Sequence, residues 1–221
     1  MASSIQVDET LRLVRVDSGR PLSSLICAAA VDQGALVIGT ADGLIHVAHV
    51  DGPTHSYALV AFDGLQRRSP ITTIRTCDGF VFFMQSPSNR ILQIDKSLNG
   101  VIQFISFQDD TILSFDIDSS GLLLAGDANG SVFSWSLYAD RPVCAIHSDN
   151  EPIAAVALEP NFQSAFIVTR SGRIISYDVN TNQISASNEY KLQATVAAAW
   201  HDHHGVVVAD ASGQVLAAVI N

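Results

Sequence analysis

Charge is scarce in this chain: only 15% of its 221 residues are Asp, Glu, Lys or Arg. The shortage falls mainly on the positive side. Twenty-two acidic residues stand against twelve basic ones, for a formal net charge of −10, and only Lys96 and Lys191 are lysines. Nucleic acid and anionic membrane surfaces both select a basic surface, so neither is expected to be the main ligand. Low charge is not accompanied by low hydrophobicity. With 48% of its residues apolar, the chain has the composition of a polypeptide that buries a substantial core rather than one that stays disordered.

Cysteine is also sparse. Cys27, Cys77 and Cys144 are odd in number, far apart and form no C-x-x-C pair, which argues against a disulfide framework or a zinc finger. Buried, reduced thiols are the expectation. Long apolar runs are missing too: Asp, Gln, His or Gly interrupts each one short of the roughly 18 residues a membrane helix needs. The segment Met1–Glu9 is polar and acidic, unlike the basic start of a signal peptide. Leu22–Val31 has a faint likeness to a leader's apolar region but follows Asp8, Glu9 and Asp17. These readings predict a soluble intracellular protein, cytoplasmic or nuclear, with protein or small-molecule partners.

The chain does have a rhythm. Five segments share an apolar run, a short turn of small polar residues, and a second strand-like run. The turns are Ala41-Asp42-Gly43, Ser88-Asn89-Arg90, Ala128-Asn129-Gly130, Arg170-Ser171-Gly172 and Ala211-Ser212-Gly213. With the third residue as anchor, successive spacings are 47, 40, 42 and 41 residues. One position before the anchor stand Asp42, Asn89, Asn129, Ser171 and Ser212, all turn formers. Two after it stand Ile45, Leu92, Val132, Ile174 and Val215, and six before it Val37, Met84, Leu124, Phe166 and Val207. Arg90 breaks the glycine column, so the second unit is expected to turn differently.

Runs such as Val132–Leu137 and Ile174–Val179 alternate with the period of a strand, and no window carries a helical stripe. Four strands fit each unit; for the fourth they fall at about 152–158, 164–169, 173–179 and 183–190. Four short strands per repeat of about 42 residues describe a propeller blade.

At this point the chain resembles the WD-repeat β-propeller family. His147-Ser148-Asp149-Asn150-Glu151-Pro152-Ile153 and the alanine-rich run to Pro160 are similar to that family's histidine-containing loop and innermost strand. Ser171–Asp178 resembles its turn and third strand, with Tyr177-Asp178 in the place of the Trp-Asp pair and Trp135-Ser136 in that place one unit earlier. The likeness runs over residues 21–221. The family's His–Ser/Thr–Asp–Trp hydrogen-bond set is complete in no unit; its turn Asp is matched only by Asp42 and its loop His only by His147. The blades are therefore expected to rely on apolar packing.

The expected fold is all-β: one propeller domain over 1–221 with about five four-stranded blades. The units are placed at 21–64, 65–109, 110–148, 149–191 and 192–221. By analogy with the family, strand 10–16 would complete the last blade. Alanines at 28–30, at 154, 155 and 157, and at 197–199 are placed on innermost strands, where small side chains suit a tight five-blade ring. The rival is an open ring completed by a partner or by a second copy.

Candidate chemistry is thin. His201-Asp202-His203-His204 has the residue types for zinc, but it is read as a hairpin turn whose neighbouring side chains diverge. Asp109-Asp110, Asp116 and Asp118 lack calcium-loop spacing and are read as strand-end and turn residues. Neither G-x-x-x-x-G-K-[ST] nor G-x-S-x-G occurs. No catalytic residue, metal or cofactor is assigned. The family resemblance implies a non-enzymatic scaffold or adaptor subunit in an intracellular multiprotein complex, its partners being proteins. It also places the loops before the innermost strands on one rim with those between the second and third strands. On that rim Arg67, Arg68, Asp149, Glu151, Arg170 and Asp210 are the candidate protein-binding residues, chosen on expected exposure. A lectin-like propeller is the alternative, weakened because the Trp135/Tyr177 column holds Ala48, Asp95 and Ala218 in the other units. An enzyme ranks last.

Overall fold

The computed structural model describes residues 6–7, 11–16, 25–32, 34–49, 55–61, 69–95, 102–106, 111–138, 143–147, 150–159, 164–181, 183–190, 192, 195–201 and 205–218. Every element among them is a strand. The strands fall into two compact units, residues 3–106 and residues 107–221.

In the unit 3–106 one antiparallel sheet contains β2 (Leu11–Val16), β3 (Ile26–Asp32), β4 (Ala35–Thr40), β5 (Leu44–His49) and β6 (His55–Ala61), in the order β2-β6-β5-β4-β3. The other contains β1 (Gln6–Val7), β7 (Ile71–Cys77), β8 (Phe80–Gln85), β9 (Arg90–Asp95) and β10 (Ile102–Ser106), in the order β1-β10-β9-β8-β7. The expectation that strand 10–16 completes the last blade does not hold. β2 pairs along its whole length with β6, from Leu11↔Ala61 to Val16↔Ser56. The outer edge of β6 offers a row of backbone groups that β2 can pair, and β2 is far nearer in sequence to β6 than to the strand Val215–Ala218, so this pairing costs less chain-closure entropy.

The unit 107–221 contains three sheets. The first is β11 (Ile112–Ile117), β12 (Leu122–Asp127), β13 (Ser131–Ser136) and β14 (Val143–His147). The second is β15 (Ile153–Leu158), β16 (Ser164–Thr169), β17 (Arg173–Asp178) and β18 (Gln183–Glu189). The third has three strands, β19 (Thr195–His201), β20 (Gly205–Asp210) and β21 (Val215–Ala218). All are antiparallel meanders.

The composition of each strand follows from its place in the sheet. Second strands such as β12 and β16 are buried along nearly their whole length, which is why they read Leu-Leu-Leu-Ala-Gly-Asp and Ser-Ala-Phe-Ile-Val-Thr instead of alternating. The outermost strand β18 is almost wholly exposed and correspondingly polar. Sheets stack face to face within each unit. Val37, Ile45 and Val47 of one sheet pack on Ile71, Ile74 and Phe83 of the next. Leu124 and Val132 pack with Ile153 and Val156, and Val168 and Ile174 with Val206 and Val208.

Two glycines show how close these sheets come. A Cβ on Gly39 would lie 2.6 Å from Ile71 Cβ, and one on Gly126 would lie 2.7 Å from Ile153 Cβ. Both isoleucines are fully buried. Each opens the first strand of its sheet, and each is followed by the same one-residue register shift. The glycine is thus the space into which the next sheet's leading side chain fits.

The five-unit alignment needs one correction. Ile71 pairs with Gln85 as Ile153 pairs with Thr169, so Phe82, not Met84, occupies the position of Val37 and Phe166. The second unit's chain reverses through a cis Ser86–Pro87 bond and Ser88, and returns at Arg90, whose N–H donates to Ser88 Oγ at 2.9 Å. This turn is longer than the others and uses no left-handed residue, so it needs no glycine. By the same shift Ile94, not Asp95, joins the Trp135/Tyr177 column.

Cysteine placement is mixed. Cys77 is buried as expected, but Cys27 is exposed, because β3 presents it on an uncovered face; neither is in a disulfide. Cys144 lies on β14, and its side chain lies outside the described residues.

Candidate functional site

Turns join second to third strands in each of the two units. Four of them, 40–43, 127–130, 169–172 and 210–213, share one construction. The glycine N–H donates to the carbonyl three residues earlier: Gly43 to Thr40, Gly130 to Asp127, Gly172 to Thr169 and Gly213 to Asp210. Each glycine has φ between 78° and 98°, a left-handed conformation in which a Cβ would be strained.

The residue opening each turn is a buried hydrogen-bonding side chain that caps it. Thr40 Oγ1 accepts from Leu44 N at 3.2 Å, and Thr169 Oγ1 accepts from Arg173 N at 3.1 Å. Asp127 Oδ1 accepts from Asn129 N (2.9 Å) and Ser131 N (2.7 Å). Asp210 Oδ1 accepts from Ser212 N (2.9 Å), Ser212 Oγ (2.6 Å) and Gln214 N (3.0 Å). Asp118 repeats the arrangement at the β11–β12 hairpin, taking Ser120 N at 2.8 Å and Leu122 N at 3.0 Å. Short polar side chains favour this local bonding to the backbone. The sequence-derived columns overlooked the Thr/Asp position three before the anchor, whose signal was available as Thr40, Asp127, Thr169 and Asp210.

That capping role overturns one expectation. Asp210 was expected to be exposed, yet it is only 3% exposed, because its carboxylate is turned inward to hold its own turn. Glu151 and Arg170 fare differently. In the second sheet of unit 107–221, Ser171 N donates to Glu151 Oε1 at 2.6 Å, and Arg170 N donates to Pro152 O at 2.9 Å. The segment before β15 and the β16–β17 turn are therefore tied together at one end of that sheet, as the resemblance implied. Arg170 O also accepts from Thr195 N at 3.1 Å, which fastens the turn to the next sheet. The Arg170 side chain itself is exposed. Arg67, Arg68 and Asp149 lie outside the described residues.

Other polar residues serve the architecture. Asp116, expected at a strand end or turn, sits within β11, and its Oδ2 accepts from Leu158 N of β15 at 2.9 Å. Ser114 Oγ likewise accepts from Val156 N at 3.2 Å, so two side chains of one first strand clasp the backbone of the next, 42 residues along. Asp109 and Asp110 are outside the described residues. Tyr177 is buried, and Asp178 caps the turn beyond it; the N–H groups of Thr181 and Asn180 hold its carboxyl below the ordinary value. Trp135 is buried, with no hydrogen-bond partner for its indole N–H among the described residues. Its contribution is packing.

His201 ends β19 and Gly205 begins β20, so the His-Asp-His-His cluster falls at that hairpin; residues 202–204 are outside the described set. Among the described residues no group of three or more His, Cys, Asp or Glu is placed to hold a metal.

His46 is a buried titratable group of the sheet that contains β2–β6, with its Nδ1 2.8 Å from Ser56 Oγ. Burial lowers its pKa below 6.5, and the nearby charge of Asp42 only partly opposes the shift. The folded state therefore favours the neutral ring, while the unfolded chain takes up a proton near pH 6.5. Stability is full above that pH and declines as the pH falls through the interval down to the folded-state pKa. His46→Gln is expected to flatten this decline between about pH 7.5 and 5.5 in urea titrations. An unchanged slope would show that His46 is not its source.

No protein-family model matches the chain. No curated protein matches it in sequence. Its fold, however, is found among solved structures. The structure of U3-55K, a WD40 propeller protein, superposes with a TM-score of 0.74 over 96% of this chain at 14% identity. The chain spans 63% of the length of that protein. The likeness is one of fold: this is an all-β chain of several antiparallel sheets, similar in fold to a propeller protein.

Proposed function

We propose that this chain is a non-enzymatic scaffold or adaptor that binds protein partners within a multiprotein assembly of the cytoplasm or nucleus. The observation that carries the reading is the set of capped turns. Buried Thr40, Asp127, Thr169 and Asp210 each hold their own turn backbone from beneath, so the exposed side chains of each turn are presented on a rigid support. A partner meeting such a turn loses little free energy to ordering it.

Arg170 is the contact residue of choice. It is an exposed cation on a turn fixed to both neighbouring strands, in a chain with few basic groups. It would meet an acidic group on the partner. Glu151 contributes by holding that turn. Arg67, Arg68 and Asp149, which precede β7 and β15 in sequence, are proposed as further contacts.

The test is affinity purification of the tagged full chain from its native cells, followed by native mass spectrometry. Stoichiometric protein partners are expected. Arg170→Glu should reduce their recovery about tenfold, the effect of losing a charge-assisted contact at an interface, with no change in Tm. Recovery of the chain without any other protein would overturn the proposal.

A further inference from the structure

Each sheet opens on a residue in one register position. Ile26 pairs with Thr40, Ile71 with Gln85, Ile112 with Asp127, Ile153 with Thr169 and Thr195 with Asp210, and every pairing is followed by the same register shift. Ile71 and Ile153 are fully buried, because each is seated over the glycine of the preceding sheet. Ile26 is 51% exposed. Leu25, Val31 and Leu36 beside it are exposed as well. The first sheet thus carries the knob of a sheet-to-sheet contact without its socket.

The last sheet carries the socket without a knob. Ala209 stands in the position of Gly39 and Gly126. It pairs with Val215 as Gly39 pairs with Ile45, and Val207 pairs with Ala217 as Val37 pairs with Val47. Val37, Ile45 and Val47 are buried, whereas Val215 is 66% exposed and Ala217 is also exposed. The same two positions are held by Gly39 with Ile71, Gly126 with Ile153, and Val168 with Thr195. An Ala209–Ile26 pair is intermediate in bulk between the glycine–isoleucine and valine–threonine combinations.

We propose that the Ile26 face of one molecule docks on the Ala209–Val215 face of a second copy of this chain. A second copy is the occupant the observations favour, because the chain displays both halves of a contact it already makes within each unit, in the same polarity and with matching apolar side chains. Apolar faces of this kind mark interaction sites. The contact is heterologous, since different surfaces meet, so it closes only when both faces of every copy are filled.

The prediction is tested on the purified full chain by sedimentation equilibrium up to about 100 µM, well above the micromolar range of a modest interface. The wild type is expected to self-associate. Ile26→Asp and Val215→Asp, both at exposed positions, should each be monomeric, with unchanged Tm and circular dichroism. Mixed together, the two variants retain one intact knob and one intact socket and should form a 1:1 dimer and nothing larger. A monomeric wild type overturns the proposal, as does association that either variant leaves intact. Failure of the mixture to form the 1:1 dimer overturns it equally, since two like faces would then be meeting or some other surface would be at work.

Discussion

Gly126→Ala is expected to lower stability by about 2–3 kcal/mol, the upper part of the range of overpacking in a tight core. The backbone there is ordinary strand, and alanine is normally preferred to glycine at such a position by roughly 0.5–1 kcal/mol. Sterics reverse the sign. The new methyl would lie 2.7 Å from Ile153 Cβ, and Ile153 is fully buried, so it has no direction in which to retreat. For a chain of this size the loss corresponds to a fall in Tm of about 4–12 °C. Ile153→Ala alone should cost about 2–5 kcal/mol through the cavity it leaves. The double variant should cost at least about 1 kcal/mol less than the sum, because the methyl then enters space the isoleucine has vacated. Urea midpoints of the four proteins measure this. A strictly additive cycle, or a silent Gly126→Ala, would show that the two sheets are not in the close contact described.

The second large effect concerns Asp127. Truncation to alanine leaves the part-buried N–H groups of Asn129 and Ser131 without their carboxylate acceptor; hydrogen bonds to a charged group contribute about 1.5–3 kcal/mol each and solvent access offsets part of that, so a loss of about 2–3 kcal/mol is expected. Asp127→Thr should recover half of it or more, since Thr40 and Thr169 fill the same position in other sheets and accept the equivalent bond. If threonine proved as damaging as alanine, the interchange of Thr and Asp along the repeat would need another cause. Since the capped turn is the proposed presenting element, Asp127→Thr should also preserve partner recovery.

Much of this arrangement was legible from residue order. The strands expected at 152–158, 164–169, 173–179 and 183–190 differ from β15–β18 by a residue or so, because apolar alternation and Gly-containing turns are local signals. The turn at Arg90 was recognisable as different for the same reason: without glycine, a left-handed turn position is costly. Other features were hidden. Asp210 looked like a surface carboxylate, and only the folded turn shows three donors converging on it. Asp116 looked like a turn residue; its partner is a backbone N–H 42 residues away, which no local pattern reveals.

Taken alone, the amino-acid order determined the repeat and the chemistry of the glycine turns, since both depend on φ, ψ and side-chain direction within a few residues. The number of strands in each sheet, from three to five, was settled by pairing between distant segments. Tertiary structure decided which edge β2 joins, why Gly39 and Gly126 must be glycine, and why Ile26 and Val215 remain uncovered while their counterparts are buried. An edge strand will accept any compatible neighbour, and an isoleucine carries the same side chain whether seated or exposed. Such outcomes are set by the free energy of packing whole sheets together, which residues distant in sequence share.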